Sequence, residues 1–328
     1  MKKLLALAMA LVMLFAFAAC STTTDEETTT EVVLDDVVYN IGICQLVQHD
    51  ALDAATLGFM DALTELLGDN VTFDEQNASG DSATCSTITN QFVADGVDLI
   101  MANATNAMLA AAASTADIPI LGTSITDYSS ALEIDDWTGS TGLNISGTSD
   151  LAPLDEQAQM IVDLMPDVEK VSILYCSAES NSKYQSDEIT GYLEALGIEV
   201  EVYTFADTND LSSVLYSAID DCDALYVPTD NAVASNTELI NNICLPAEIP
   251  VFCGEEATCS GCGVATLTIQ YYDIGYATGL MAYEILVNGA DVSTMEIEFA
   301  PEFTYKYNAD ICAELGIEVP DTYEAIEA

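Results

Sequence analysis

Arginine is absent from this chain of 328 residues, and five lysines stand against 55 acidic residues, for a formal net charge of −50. Lys2 and Lys3 lie near the start of the sequence, which leaves Lys170, Lys183 and Lys306 for the rest. Binding to a phosphate backbone needs clustered Lys and Arg, so this composition excludes nucleic acid as a partner. It excludes a polybasic contact with anionic lipid for the same reason. Histidine is equally scarce: His49 is the only one, too few for a histidine metal triad. Beyond Ala18 no apolar run approaches the roughly 20 residues that span a bilayer. No phosphate loop or nucleophile elbow is present either, which argues against an enzyme.

What remains is apolar. Half of the chain is hydrophobic, and its length suits two cores better than one. The acids form a solvated surface, and their field disfavours anionic ligands while tolerating neutral, zwitterionic or cationic ones. Lys2 and Lys3 precede an apolar run from Leu4 to Ala18, the pattern of a secretory signal peptide over residues 1–19. Phe17-Ala18-Ala19-Cys20 resembles a bacterial lipobox, with Phe17 where Leu is usual. That resemblance implies lipidation of Cys20 and an extracytoplasmic, membrane-anchored protein; the other reading is an ordinary signal peptide with Cys20 a free thiol. The polar stretch Ser21–Glu31 has nothing to bury, so residues 20–36 are expected to be a tether.

Nine cysteines follow Cys20, an odd number that cannot all pair within the chain. Cys253, Cys259 and Cys262 are their only cluster, and a metal, a local disulfide and reduced thiols all remain open there. A structural zinc site usually has a second Cys-x-x-Cys pair, which is lacking, so no metal and no cofactor are expected.

From Val37 onward short apolar runs alternate with helical periodicity. Strands are predicted over Val37–Cys44, Val71–Glu75, Val97–Ala102 and Ile118–Gly122, with helices over Asp50–Leu67, Ser82–Asp95 and Ala107–Thr115. The pattern restarts after Asn144–Asp150 and runs to a strand at Pro250–Cys253. Such alternation implies parallel sheets covered on both faces, and two such halves imply two lobes with a cleft between them. Ligands bind at the carboxyl ends of the strands of open parallel sheets. The segments after these strands are polar: Gln45–His49, Asn103–Asn106, Thr123–Asp127, Ser177–Ser182, Thr229–Asn231 and Gly254–Glu256. Any one such residue could simply cap a helix; six segments converging on one cleft suggest a ligand site.

These same loops carry a family resemblance. Gln45–Asp53 (QLVQHDALD), Asn77–Asp81 (NASGD), Asn144–Asp150 (NISGTSD), Leu174–Ser182 (LYCSAESNS) and Val227–Ser235 (VPTDNAVAS) resemble ABC-transporter substrate-binding lipoproteins of the tryptophan/tyrosine type. Ile269–Gly289 is similar to the family's return crossover, and the likeness extends from Val37 to Pro320. The family often has Pro where this chain has Asn106 and Tyr128. The resemblance implies an α/β, two-lobed periplasmic-binding-protein-like fold with three hinge crossings. It also implies closure around a small solute, with delivery to permease and ATPase subunits on other chains. An amino acid, aromatic ones first, is the expected ligand; a neutral sugar or nucleoside, a sensory role and an exported enzyme are the alternatives.

One lobe is expected to comprise 37–149 plus 271–293, and the other 150–270 plus 294–328, with the last crossing at Met295–Ala300. The expected ligand contacts are Gln45, Thr105, Thr126 and Asp127 from the first lobe. Asn181, Ser182, Asp230 and Glu255 come from the second, and Tyr272 from the crossover. Asp127, Asp230 or Glu255 would take an ammonium by charge-assisted hydrogen bonds, and Thr105, Thr126 and Ser182 a carboxylate. His49 is expected beside the first helix start, as a cap neighbour or a cleft wall.

Overall fold

The computed structural model describes residues 37–327; the predicted signal peptide, Cys20 and the tether lie outside the described residues. In the first lobe the order is β1 (Tyr39–Gln45), α1 (Asp50–Leu67), β2 (Val71–Asn77), α2 (Ser82–Asp95) and β3 (Leu99–Asn103). It continues with α3 (Thr105–Ser114), β4 (Ile120–Ile125), α4 (Tyr128–Ala131) and β5 (Ile145–Ser149). β3, β4 and β5 are buried along their whole lengths, as strands covered on both faces should be.

The second lobe begins with α5 (Leu154–Leu164), β6 (Lys170–Cys176), α6 (Ser180–Ala195), β7 (Glu199–Phe205) and α7 (Thr208–Ala218). β8 (Ala224–Val227), α8 (Asn231–Ala234), α9 (Thr237–Cys244), β9 (Val251–Cys253), α10 (Glu256–Cys262) and β10 (Ala265–Thr268) complete its main run. Then come α11 (Tyr271–Leu286), β11 (Glu298–Phe299), β12 (Thr304–Tyr307), α12 (Ala309–Leu315) and β13 (Glu324–Ala325).

Two sheets result, ordered β11-β5-β4-β3-β1-β2 and β13-β12-β10-β9-β8-β6-β7. Every pairing is parallel except β10 with β12, which are antiparallel. The chain passes between the sheets after Ser149, between Thr268 and Tyr271, and between Phe299 and Thr304. The last passage differs from the expected one at Met295–Ala300. Glu298 and Phe299 pair with Thr148 and Ser149, so residues 294–299 stay with the first lobe. A two-residue strand is too short to show any alternation, which is why the sequence pattern did not reveal it.

α11 returns to the first lobe and lies along α1 at close range. A Cβ on Gly58 would stand 2.1 Å from the Tyr272 carbonyl oxygen, and one on Gly275 would stand 2.0 Å from that of Ala55. Only glycine permits this approach. The contact fixes the start of α11, and with it Tyr271, against the first lobe.

Candidate functional site

The carboxyl ends of the two sheets border a tight cavity of about 10 Å³, the space of a single water, so a larger ligand enters only if the lobes part. The first lobe contributes His49, Leu52, Ser124 and Thr126. Asp150 and Tyr271, at two of the three passages between the sheets, form the hinge-side wall. The second lobe contributes Asn181, Thr229, Asp230, Asn231, Ala234 and Glu255. Across the divide, His49 Nε2 lies 3.2 Å from Asn231 Oδ1, and Gln185 Nε2 donates to Thr126 Oγ1 at 3.1 Å. Asn106 Nδ2 donates to the Ala178 carbonyl at 3.4 Å. The two lobes are therefore in contact around the cavity.

Three buried carboxylates, Asp150, Asp230 and Glu255, line this space, a fourth, Glu179, lies behind Asn231, and among the described residues no lysine or arginine lines it. Their surroundings separate them into two kinds. Asp230 accepts from the backbone N–H groups of Cys176 at 2.7 Å and Val233 at 2.8 Å, capping α8. Glu255 accepts from the backbone of Ala257 and Thr258 and from the Thr258 hydroxyl, capping α10. Glu179 accepts from the backbone of Asn231 and Ala232 and from the Asn231 and Asn181 amides. These three are occupied in holding loops and helix starts.

Asp150 differs. It meets two hydroxyls, Tyr271 at 3.0 Å and Thr126 at 3.3 Å. A carboxylate offers about four acceptor sites, so Asp150, like Asp230, keeps capacity for a further donor, but its partners are side-chain hydroxyls and it caps no helix. Burial pushes its carboxyl up to about 6, against the lowering effect of those hydroxyls. Burial, and then the neighbouring Glu179 charge, push Asp230 up to about 8. A cation in the cavity would relieve both groups. On the opposite side of the polarity balance, the Ser124 hydroxyl and His49 Nδ1 are buried with no hydrogen-bond partner in the protein. Ser124 also has φ 57°, an unusual value for a residue other than glycine.

Among the expected contacts, Thr126, Asn181, Asp230 and Glu255 lie in the cavity wall. The other five lie outside it. Gln45 turns inward to bond Asp53 and Thr56. Thr105 is buried at the start of α3, its hydroxyl without a partner. Asp127 caps α4 by accepting from Ser130 N at 2.7 Å. Ser182 is buried against the Thr229 carbonyl. Tyr272 points along α1 and donates to Asp61 at 3.0 Å.

Its neighbour Tyr271 faces the cavity, because consecutive helical residues point about 100° apart. The buried positions Tyr271, Ile274, Gly275 and Thr278 carry the phase that would have identified it in the sequence. Asp150 was missed for a related reason. Ile145–Ser149, with its Ser and Gly, reads as a linker; as a strand it would have marked Asp150 as a strand-end residue like the others.

The nine described cysteines are free thiols, and eight are buried. Cys253 of β9 and Cys259 and Cys262 of α10 belong to one core cluster. Among the described residues no group of His, Cys, Asp and Glu is placed to hold a metal, and no helix is long and apolar enough to cross a membrane.

Residues 40–326 match the model of the ABC transporter substrate binding protein family. A tyrosine-binding protein of Clostridioides difficile is 34% identical over 282 residues, 85% of this chain and 81% of that protein. An ABC domain from Streptococcus pneumoniae solved in complex with L-Trp is 32% identical with a TM-score of 0.84, over 88% of this chain and all of that one. The ligand-free, open structure of a Clostridium difficile substrate binding protein is 35% identical, over 88% of this chain and 99% of that one, yet superposes less well, with a TM-score of 0.68. A two-lobed fold, a cavity walled by both lobes and a family match spanning nearly all the described residues lead to one assignment: the chain belongs to the ABC transporter substrate-binding proteins.

Proposed function

We propose that this protein is the extracytoplasmic receptor of an ABC importer for an aromatic amino acid, tethered by lipid on Cys20 and delivering its ligand to a permease. The observation that carries this reading is the cavity: enclosed by both lobes, rich in buried carboxylate, and containing one carboxylate, Asp150, that is held by side-chain hydroxyls and caps no helix. An α-ammonium fits that wall by charge-assisted hydrogen bonding. The unpartnered Ser124 hydroxyl, together with the backbone N–H groups at the starts of α1 and α6, which no side chain caps, suits the carboxylate of a zwitterion in a chain without arginine. The relatives named for tyrosine and bound to L-Trp support the ligand class.

Closure belongs to the same reading. At nearly equal identity, this structure lies nearer the L-Trp complex than the open, ligand-free relative. The cross-lobe bonds of His49, Gln185 and Asn106 support a closed arrangement that a ligand touching both lobes would favour.

Thermal unfolding with tyrosine, tryptophan, sugars and nucleosides tests the ligand class. A micromolar amino acid supplied at millimolar concentration should stabilise the protein by about 4 kcal/mol. If sugars or nucleosides shift the melting curve and amino acids do not, the aromatic amino-acid reading is wrong.

A further inference from the structure

We infer that His49 reads a polar hydrogen on the ligand's ring, so that the site selects phenol- or indole-bearing side chains over a plain phenyl ring. The inference rests on the amino-acid reading above and adds a specificity determinant to it.

The hydrogen-bond chain across the cleft fixes which His49 nitrogen does what. The Asn231 amide nitrogen donates to Glu179 Oε2 at 2.6 Å, and a carboxylate can only accept. The Asn231 carbonyl oxygen is thereby turned toward His49 Nε2, 3.2 Å away. That oxygen can only accept, so Nε2 carries the hydrogen. In the neutral imidazole the other nitrogen, Nδ1, is then an acceptor. Nδ1 is buried, has no partner in the protein, and belongs to a residue lining the cavity. An acceptor left unpaired in a closed cavity costs about as much as a lost hydrogen bond, so a ligand donor placed there is favoured and a C–H is penalised.

Position decides which ligand group meets it. Leu52 lies one turn along α1 from His49, and Ala234 one turn along α8 from Asn231. Both line the same cavity as His49 and Asn231, one apolar side chain from each lobe. Leu52 and Ala234 are also the only aliphatic side chains in the cavity wall among the described residues. Asp150, its hydroxyl partners Tyr271 and Thr126, and nearby Glu255 form the separate, acidic hinge-side wall. A zwitterionic head group against Asp150 directs its ring toward Leu52 and Ala234, where His49 Nδ1 meets the ring's edge. A phenol O–H or an indole N–H satisfies that nitrogen; a phenyl ring does not. Sites built around a ligand hydrogen bond reject the analogue lacking it far more strongly than apolar pockets reject a missing methylene.

The test is calorimetric titration of the protein with L-tyrosine, L-tryptophan and L-phenylalanine, and of the His49→Leu and His49→Gln variants with the same three. The expected result is at least tenfold tighter binding of tyrosine or tryptophan than of phenylalanine. In His49→Leu this gap should shrink to about twofold, whatever loss the missing cross-lobe contact imposes on all three ligands alike. His49→Gln, whose amide can donate to Asn231 and accept from the ligand, should restore part of it. The comparison of ligands on the unaltered protein decides the matter even if a variant fails to fold. Equal affinity for phenylalanine and tyrosine, with tryptophan no tighter, overturns the role of His49 and leaves the amino-acid reading standing. So does a gap that survives in His49→Leu. Absence of binding by all three removes both.

Discussion

Two buried aspartates in the cavity wall, Asp150 at the hinge and Asp230 in the second lobe, titrate where it can be measured directly. In an unfolded chain both would lose their protons near pH 4. In the folded protein burial pushes Asp150 up to about 6 and Asp230 up to about 8. Between pH 4 and those values the folded state holds protons that the unfolded state has released. Stability therefore falls as pH rises through that window, and the contribution is fully present only below pH 4. Asp230→Asn removes one such group. The variant should be less stable at pH 5, because Cys176 and Val233 donate to different oxygens and in the amide one of those positions is an NH2, which cannot accept. Its decline from pH 5 to pH 8 should be shallower than the parent's, by on the order of 2–4 kcal/mol. Urea unfolding at both pH values measures the difference; parallel declines would mean that Asp230 ionises freely in the folded state. Asp150→Asn should act on binding instead. Losing a charged partner for the ammonium should weaken amino-acid binding by about 2 kcal/mol, roughly thirtyfold, in titrations at pH 8. In the parent, affinity should rise as pH passes 6, and this rise should vanish in the variant.

At the scale of elements, the helices α1 and α11 make the contact most sensitive to substitution. Their backbones meet where Gly58 faces Tyr272 and Gly275 faces Ala55, with no room for a Cβ on either side. Alanine usually helps a helix by up to about 1 kcal/mol relative to glycine. Here overpacking should outweigh that gain, and Gly275→Ala should destabilise the protein by about 1–3 kcal/mol in urea unfolding. A neutral result would show that the two helices separate at little cost. The same elements show what the sequence makes legible. Buried strands such as Leu99–Asn103 and amphipathic helices such as α1 carry strong periodic signals, and the two-lobed α/β plan follows from them. Ile145–Ser149, Ala265–Thr268 and Glu298–Phe299 are short or rich in Ser, Thr and Gly, and their strand character comes from the neighbours they pair with. The cavity was legible as a set of strand-end segments. Its members were legible only in part: Thr126, Asn181, Asp230 and Glu255 lie in the wall, but whether Asp127 or Asp150 faces the cleft depends on local capping and on a strand the pattern does not reveal.

At the scale of the molecule, charge opposes closure. The first lobe, 37–149 with 271–299, has no lysine or arginine to balance its acids. The second lobe has all three of the remaining lysines, each already paired: Lys170 with Glu201, Lys183 with Asp187, and Lys306 with Glu256. Two like-charged bodies brought together across a cleft repel, and the repulsion is screened once the Debye length falls below their separation. A zwitterionic ligand has no net charge, so to first order the field of the whole protein neither attracts nor repels it. Salt should therefore act mainly on the open–closed balance. Raising sodium chloride from about 0.02 M, where the Debye length is about 20 Å, to about 0.5 M, where it is about 4 Å, should strengthen tyrosine binding several-fold. Small-angle scattering over the same range, without ligand, should show a gradual compaction, and ligand should complete it at either salt. If affinity falls with salt instead, attraction of the ammonium to the acidic cavity outweighs repulsion between the lobes. If the scattering profile is unchanged by both salt and saturating ligand, the lobes do not move and the cross-lobe bonds of His49, Gln185 and Asn106 are permanent features of a rigid molecule.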